Sequence, residues 1–105
     1  MYEPDKWVLV KIDGIDPHYR VFGTWLGGYL SGDSWRMNSG VTSVEEEGDF
    51  YLFYGTSGSC YKCHKKSYGS SAFTSSVLAS YVEDSNGMFK VIDQPNNILE
   101  MDWIL

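Results

Sequence analysis

The chain has 105 residues, 43% of them hydrophobic and 21% charged, with fourteen acidic against eight basic side chains and a formal net charge of −6. That length can bury a core without disulfide or metal staples and is too short for two independent cores, so one domain is expected. The negative charge repels a phosphate backbone and disfavours general nucleic-acid binding; it is compatible with docking on a basic protein surface, and also with the plainer role of keeping a protein soluble.

Met1-Tyr2-Glu3-Pro4-Asp5-Lys6 has no basic n-region, and the apolar run at 7–12 is too short for a signal core or a membrane span. A cytosolic protein without membrane association is therefore expected. In that reducing compartment Cys60 and Cys63 remain free thiols.

Aromatic residues at 16% with eleven glycines point to aromatic-rich strands joined by tight turns. Trp7-Val8-Leu9-Val10-Lys11-Ile12, closed by Asp13-Gly14, and residues 19–25, entered from Pro17-His18, read as an N-terminal hairpin. In the second run Tyr19, Val21 and Trp25 share one face and Arg20, Phe22 and Thr24 the other, so both sides are expected to be partly covered. Beyond Gly27-Gly28, residues 34–38 lead through Ser39-Gly40 into 41–45 as a second hairpin. Glu45-Glu46-Glu47 before Gly48 reads as a solvated strand end.

A third hairpin joins 49–54 to 59–64 through the four-residue loop Gly55-Thr56-Ser57-Gly58. That loop sets Leu52 opposite Tyr61, Phe50 opposite Cys63, Tyr51 opposite Lys62 and Asp49 opposite His64. Phe50, Leu52, Tyr54, Tyr61 and Cys63 then form the core face, with Asp49, Tyr51, Phe53, Cys60, Lys62 and His64 on the other. Residues 71–85 carry Phe73, Val77 and Tyr81 at four-residue spacing, widened by Leu78 and Val82, which predicts a single amphipathic helix stopped by Asn86-Gly87. A last strand at 88–92 and an apolar run at 98–105 follow, separated by Gln94-Pro95-Asn96-Asn97. These elements predict an α+β domain: a curved antiparallel sheet or small partly open β-barrel of about six strands with one packed α-helix.

Cys60-Tyr61-Lys62-Cys63-His64 spells the string that attaches c-type haem. Haem needs both thiols and the imidazole on one side, which a helical turn supplies and a strand does not. In an extended strand Cys60 and Cys63 point to opposite faces and the neighbours Cys63 and His64 diverge. The same parity argues against zinc held by Cys60, Cys63, His64 and His18. No cofactor and no metal are expected; a redox or metal/haem centre on Cys60, Cys63 and His64 is the alternative.

Gly32-Asp33-Ser34 resembles the nucleophile block of GDS-type esterases, yet no histidine follows His64 to complete a triad. It reads as turn chemistry, and the protein is not expected to be an enzyme. Lys62, Lys65, Lys66 and His64, interleaved with Tyr51, Phe53 and Tyr61, have the make-up of a single-strand nucleic-acid site. Pairing of Glu47 with Lys66 and of Asp49 with His64 across the hairpin is the simpler account.

Trp25, Tyr29 and Trp35 fall in or beside the glycine-rich stretch 23–40, where uncovered aromatic faces would mark a partner surface and covered ones would plug the core. With the acidic strip Glu45, Glu46, Glu47 and Asp49, they are the candidate partner-binding residues.

Tyr2-x-Pro4-x-Lys6-Trp7-Val8, Tyr19-Arg20-Val21-Phe22-Gly23-x-Trp25 and Gly32-Asp33-Ser34-Trp35-Arg36 resemble small uncharacterised accessory proteins of tailed bacteriophages, a likeness that runs over most of the chain up to Gly69. The resemblance brings no catalytic residues. It implies a protein of the infected host's cytosol that binds a host or phage protein stoichiometrically, with a minor virion component as the alternative.

Overall fold

A computed structural model describes residues 1–27 and 32–103. Lys6–Ile12 forms β1 and His18–Trp25 forms β2, paired antiparallel with Trp7 opposite Gly23 and Leu9 opposite Val21. Trp7, Val8, Leu9 and Val10 are all buried, as befits a strand covered on both faces. β3 (Ser34–Met37) adds to the free edge of β2, and β7 (Phe89–Val91) to that of β1, giving a sheet of order β3-β2-β1-β7. β4 (Val41–Glu47), β5 (Phe50–Gly55) and β6 (Cys60–His64) form a second antiparallel sheet in sequence order.

The one α-helix among the described residues, α1 (Ala72–Asp84), covers one face of the four-stranded sheet through Leu78, packed with Val8, Val10, Phe22 and Phe89. On the opposite face Trp7, Leu9 and Val21 meet Val41, Phe53, Tyr61 and Cys63 of the three-stranded sheet. Ile98, in a 3-10 turn at Ile98–Glu100, and Trp103 complete that core; the Trp103 indole N–H donates to the Ile98 carbonyl at 2.9 Å. The α+β architecture is thus the expected one, with seven strands in two open sheets and no closed barrel among the described residues. The layers run helix, four strands, three strands, and among the described residues no element packs over the outer face of the last.

Three local expectations are corrected. β3 and β4 do not pair: β3 joins β2 and β4 joins β5, so the Ser39-Gly40 corner carries the chain between sheets, with Gly40 at φ 138°. Asn38 ties this corner to β2 by donating its backbone N–H to the Val21 carbonyl at 3.0 Å and accepting the Val21 N–H on Oδ1 at 2.9 Å. The side-chain oxygen stands in for a strand carbonyl, and the chain is free to leave the sheet.

The β5–β6 loop has three residues, not four. The Gly55 N–H donates to the Ser59 carbonyl at 2.9 Å, and Gly58 at φ 85° supplies the left-handed step. The register moves by one residue, pairing Tyr51 with Cys63 and Phe53 with Tyr61. A slip of one exchanges the faces of β5: Tyr51 and Phe53 turn to the core, while Phe50, Leu52 and Tyr54 join Cys60, Lys62 and His64 outside.

The helix begins in a capping box, with Ser71 Oγ accepting from the Thr74 N–H at 3.2 Å and Thr74 Oγ1 accepting from the Ser71 N–H at 2.9 Å. It stops at Asn86 and Gly87, both at positive φ. Its buried residues are Thr74 and Leu78, whereas Phe73 is 53% exposed, so the docked face is rotated from the expected stripe. A buried hydroxyl pair, Thr24 Oγ1 to Thr74 Oγ1 at 2.9 Å, holds the helix at that angle.

Candidate interaction surface

The outer face of the three-stranded sheet is assembled by strand parity. Glu45 pairs with Leu52 and Glu47 with Phe50, so these two carboxylates stand on the outer face beside Phe50, Leu52, Tyr54, Lys62 and His64. Leu52, at the centre between Glu45 and Lys62, is only 4% exposed. Lys62 Nζ sits 4.6 Å from the Phe50 ring centroid and 3.6 Å from Glu47, and the His64 ring meets Phe50 edge-on at 5.0 Å. The Tyr54 hydroxyl donates to Glu45 at 3.2 Å. Burial, with that hydrogen bond to Glu45, raises the Tyr54 pKa above the ordinary phenol value, which keeps the hydroxyl a donor. The face therefore has an apolar centre and an anionic rim whose charges are only partly matched.

The acidic strip does not act as one row. Glu46 lies opposite Tyr51, on the core side, and its carboxylate pairs with Lys65, whose pKa rises through that hydrogen bond. Asp49 is in the β4–β5 turn, where its carbonyl accepts the Lys65 N–H at 2.9 Å. The expected pairings of Glu47 with Lys66 and Asp49 with His64 are replaced by Glu47 with Lys62 and Glu46 with Lys65, a direct result of the register. Among the described residues the carboxylates of Glu45 and Asp49 form no ion pair.

Trp25 and Trp35 lie on opposite faces of the four-stranded sheet. Trp25, half-buried on the inter-sheet side, meets Tyr2 edge-on at 6.4 Å, and Arg36 caps the same Tyr2 ring at 4.6 Å. Trp35, opposite Thr24, stacks on Phe22 at 5.2 Å on the helix side and meets Tyr81 edge-on at 5.8 Å. Both border one hollow of about 340 Å³ at the open end of β3, beside Tyr2, Ser34 and Arg36. Tyr29 lies outside the described residues.

β6 is extended as the parity argument requires. Cys63 is fully buried in the inter-sheet core and Cys60 half-buried on the outer face. Burial pushes both thiol pKa values up, that of Cys63 far above its ordinary range. Bringing the sulfurs together would require β6 to release β5 and the N-terminal segment, which is bonded to it from the Tyr2 N–H to the Cys60 carbonyl (2.9 Å) and from the Lys62 N–H to the Tyr2 carbonyl (2.7 Å). Among the described residues no group of three His, Cys, Asp or Glu side chains is placed to hold a metal ion.

At Gly32-Asp33-Ser34, Asp33 Oδ1 accepts the Gly27 N–H at 3.2 Å; hydrogen bonds from Ser71 first and then from Gly27 lower its pKa. His18 bonds to Asp16 and Arg20, and His64 Nδ1 accepts the Lys66 N–H, so neither imidazole engages Ser34. No described helix is long and apolar enough to cross a membrane.

Sequence reasoning missed two features. The apolar half of the outer face, Phe50, Leu52 and Tyr54, was hidden because every residue from 50 to 54 is apolar or aromatic, so alternation gives no face. The His18-x-Arg20 pair, two apart and hence on one side of a strand, was a signal available in the sequence. No protein-family model, no curated protein and no solved structure matches the chain.

Proposed function

We propose that this protein is a non-catalytic binding module that docks a basic protein surface on the outer face of its three-stranded sheet. One observation supports this above all: that face carries Phe50, Leu52 and Tyr54 inside an acidic rim and is the one sheet face without a covering layer among the described residues. A partner lying there would shield the aromatic centre, and its cations would meet Glu45 and Glu47, within a chain of formal charge −6. The likeness to small phage accessory proteins agrees with a host or phage protein as that partner, met in an infected cytosol. A role as a minor virion component would use the same face against a neighbouring subunit.

The test is a partner captured by the wild-type chain and then measured against variants. Glu45→Lys with Glu47→Lys reverses the rim and should weaken binding at least tenfold, an effect that shrinks as salt rises. Phe73→Ala, on the exposed side of the helix, should leave binding unchanged. Full binding by the charge-reversed chain would refute the assignment.

A further inference from the structure

At the end of the molecule where the two sheets meet, the β1–β2 turn, the Ser39-Gly40 corner, the β5–β6 loop and the C-terminal segment line an open hollow of about 310 Å³. We propose that this hollow is a binding site for a small organic monocarboxylate, held by Arg20 and by the Ser39 hydroxyl at its mouth. The proposal is independent of the partner surface, which lies on a different face.

Arg20 is held as a fixed fork. Its Nε–H donates to His18 Nε2 at 2.9 Å; because a guanidinium keeps its protons, Nε2 must be the acceptor. The imidazole proton is then on Nδ1, which donates to the Asp16 carbonyl at 2.8 Å. This relay uses one of the five guanidinium N–H groups, and the terminal amino groups have no hydrogen bond or ion pair to any described residue. Arg20 is a partly buried residue whose guanidinium is oriented through Nε and unmatched at its fork, the arrangement that accepts a planar carboxylate through two parallel bonds.

The opposite wall supplies a further donor. Ser39 Oγ accepts from Thr56 Oγ1 at 2.7 Å and from the Ser57 N–H at 3.1 Å, so its own proton is available to a guest. Gly40, at φ 138°, brings a bare Cα against the imidazole; a Cβ there would stand 3.4 Å from His18 Cδ2. Pro17, Val41 and Trp103 provide apolar lining for the body of the guest. Trp103 is only 7% exposed, with the Tyr19 and Phe53 rings packed edge-on against it and its indole N–H bonded to Ile98, so it contributes an apolar wall and no hydrogen bond.

Charge favours a monocarboxylate over the more highly charged inorganic phosphate. Asp16 also lines the hollow, and the whole chain is at −6, so each added negative charge on the guest is disfavoured. One charge is matched by Arg20 and a second is not. The volume admits a benzoate-sized molecule, at the small end of ligand pockets.

The experiment is amide NMR of the 15N-labelled full chain titrated with benzoate, with neutral benzamide and with inorganic phosphate. Benzoate should shift the His18, Gly40 and Thr56 amides saturably, and benzamide should bind at least about tenfold more weakly. Arg20→Gln should lose a similar factor while amides of β5 and β6 keep their positions, and Arg20→Lys should lose part of it because the charge stays and the fork goes. No saturable shift, equal affinity for benzamide, undiminished binding by Arg20→Gln, or phosphate binding as tight as benzoate would overturn the proposal. Should Arg20→Gln not fold, the Arg20→Lys chain and the benzoate-to-benzamide ratio on the wild type decide it.

Discussion

The two sheets make an instructive pair. The four-stranded sheet is covered on both sides, by the helix and by its neighbour, and its central strand β1 is a run of fully apolar positions, Trp7 to Val10. The three-stranded sheet is covered on one side only, and its outer face mixes Phe50, Leu52 and Tyr54 with Glu45, Glu47, Lys62 and His64. Both are antiparallel and of similar strand length, so secondary structure does not separate them; covering does. A strand buried twice is committed to stability, since each side chain has a packing partner to lose. A strand buried once retains a face on which residues can be exchanged without unfolding the domain, and there a binding function costs least.

The comparison is broken most forcefully in the doubly covered sheet. Trp7 is fully buried, meets Phe53 and Tyr68 rings at 5.3 and 4.8 Å, and donates its indole N–H to the His64 carbonyl at 2.7 Å. Trp7→Ala should lower the unfolding free energy by about 3–5 kcal/mol, enough to leave a small domain largely unfolded in a urea titration. Asn38→Ala removes the acceptor of the Val21 N–H and should cost about 1–3 kcal/mol in the same measurement. A loss below a few tenths of a kcal/mol would mean that the corner between sheets is not held by this side chain.

Alkaline pH probes the same core. Burial pushes the Tyr61 and Tyr68 hydroxyl pKa values up to about 12. The folded chain then keeps phenolic protons that the unfolded chain releases near pH 10, so the stability they contribute is whole below about pH 10 and disappears as the pH climbs to about 12. Urea midpoints should fall between about pH 10 and about pH 12, roughly in step with phenolate absorbance. A flat midpoint across that interval would contradict the burial of both hydroxyls.

On the outer face the effects should be small. Tyr54→Phe and Lys62→Ala should each change stability by less than about 1 kcal/mol, because they remove an exposed hydrogen bond to Glu45 and a partly exposed ion pair with Glu47. A larger cost would show that this face serves the fold rather than a partner. Thiol labelling sharpens the contrast with no change in stability: Cys60 should react slowly in the native protein and Cys63 only after denaturation, as their burial and raised pKa values require. Two equally reactive native thiols would deny that β6 separates them.

Much of the element inventory was legible because local chemistry specifies it. Asn86-Gly87 as a stop marks the end of the helix from neighbours alone, and the Ser71–Thr74 capping box that begins it is equally local. The opposite faces of Cys60 and Cys63 follow from three steps along any extended strand. The apolar residues on both faces of 19–25 announced a strand covered on each side, as Val21 and Phe22 in separate core clusters show for β2. Pairing was harder. Ser39-Gly40 has the look of a hairpin turn, and the decision to make it a corner rests with Asn38, whose side chain bonds to a strand 17 positions earlier.

Register and docking angle came from contacts distant in the chain. In Phe50-Tyr51-Leu52-Phe53-Tyr54 either parity offers an apolar face, and the choice fell to a three-residue loop and to the Trp7 and Trp103 rings that receive Phe53. The helix turned its Thr74 side inward because Thr24 waits there with a hydroxyl, a pairing no hydropathy pattern records. Chain-local chemistry thus determined which segments are strands, where the helix begins and ends, and that the two thiols diverge, since each depends on residues a few positions apart. Only the tertiary structure decided which faces are buried, which strands are neighbours, and that Arg20 overlooks a hollow built from four separate segments, because those outcomes minimise exposed apolar area and unpaired polar groups over the whole molecule at once.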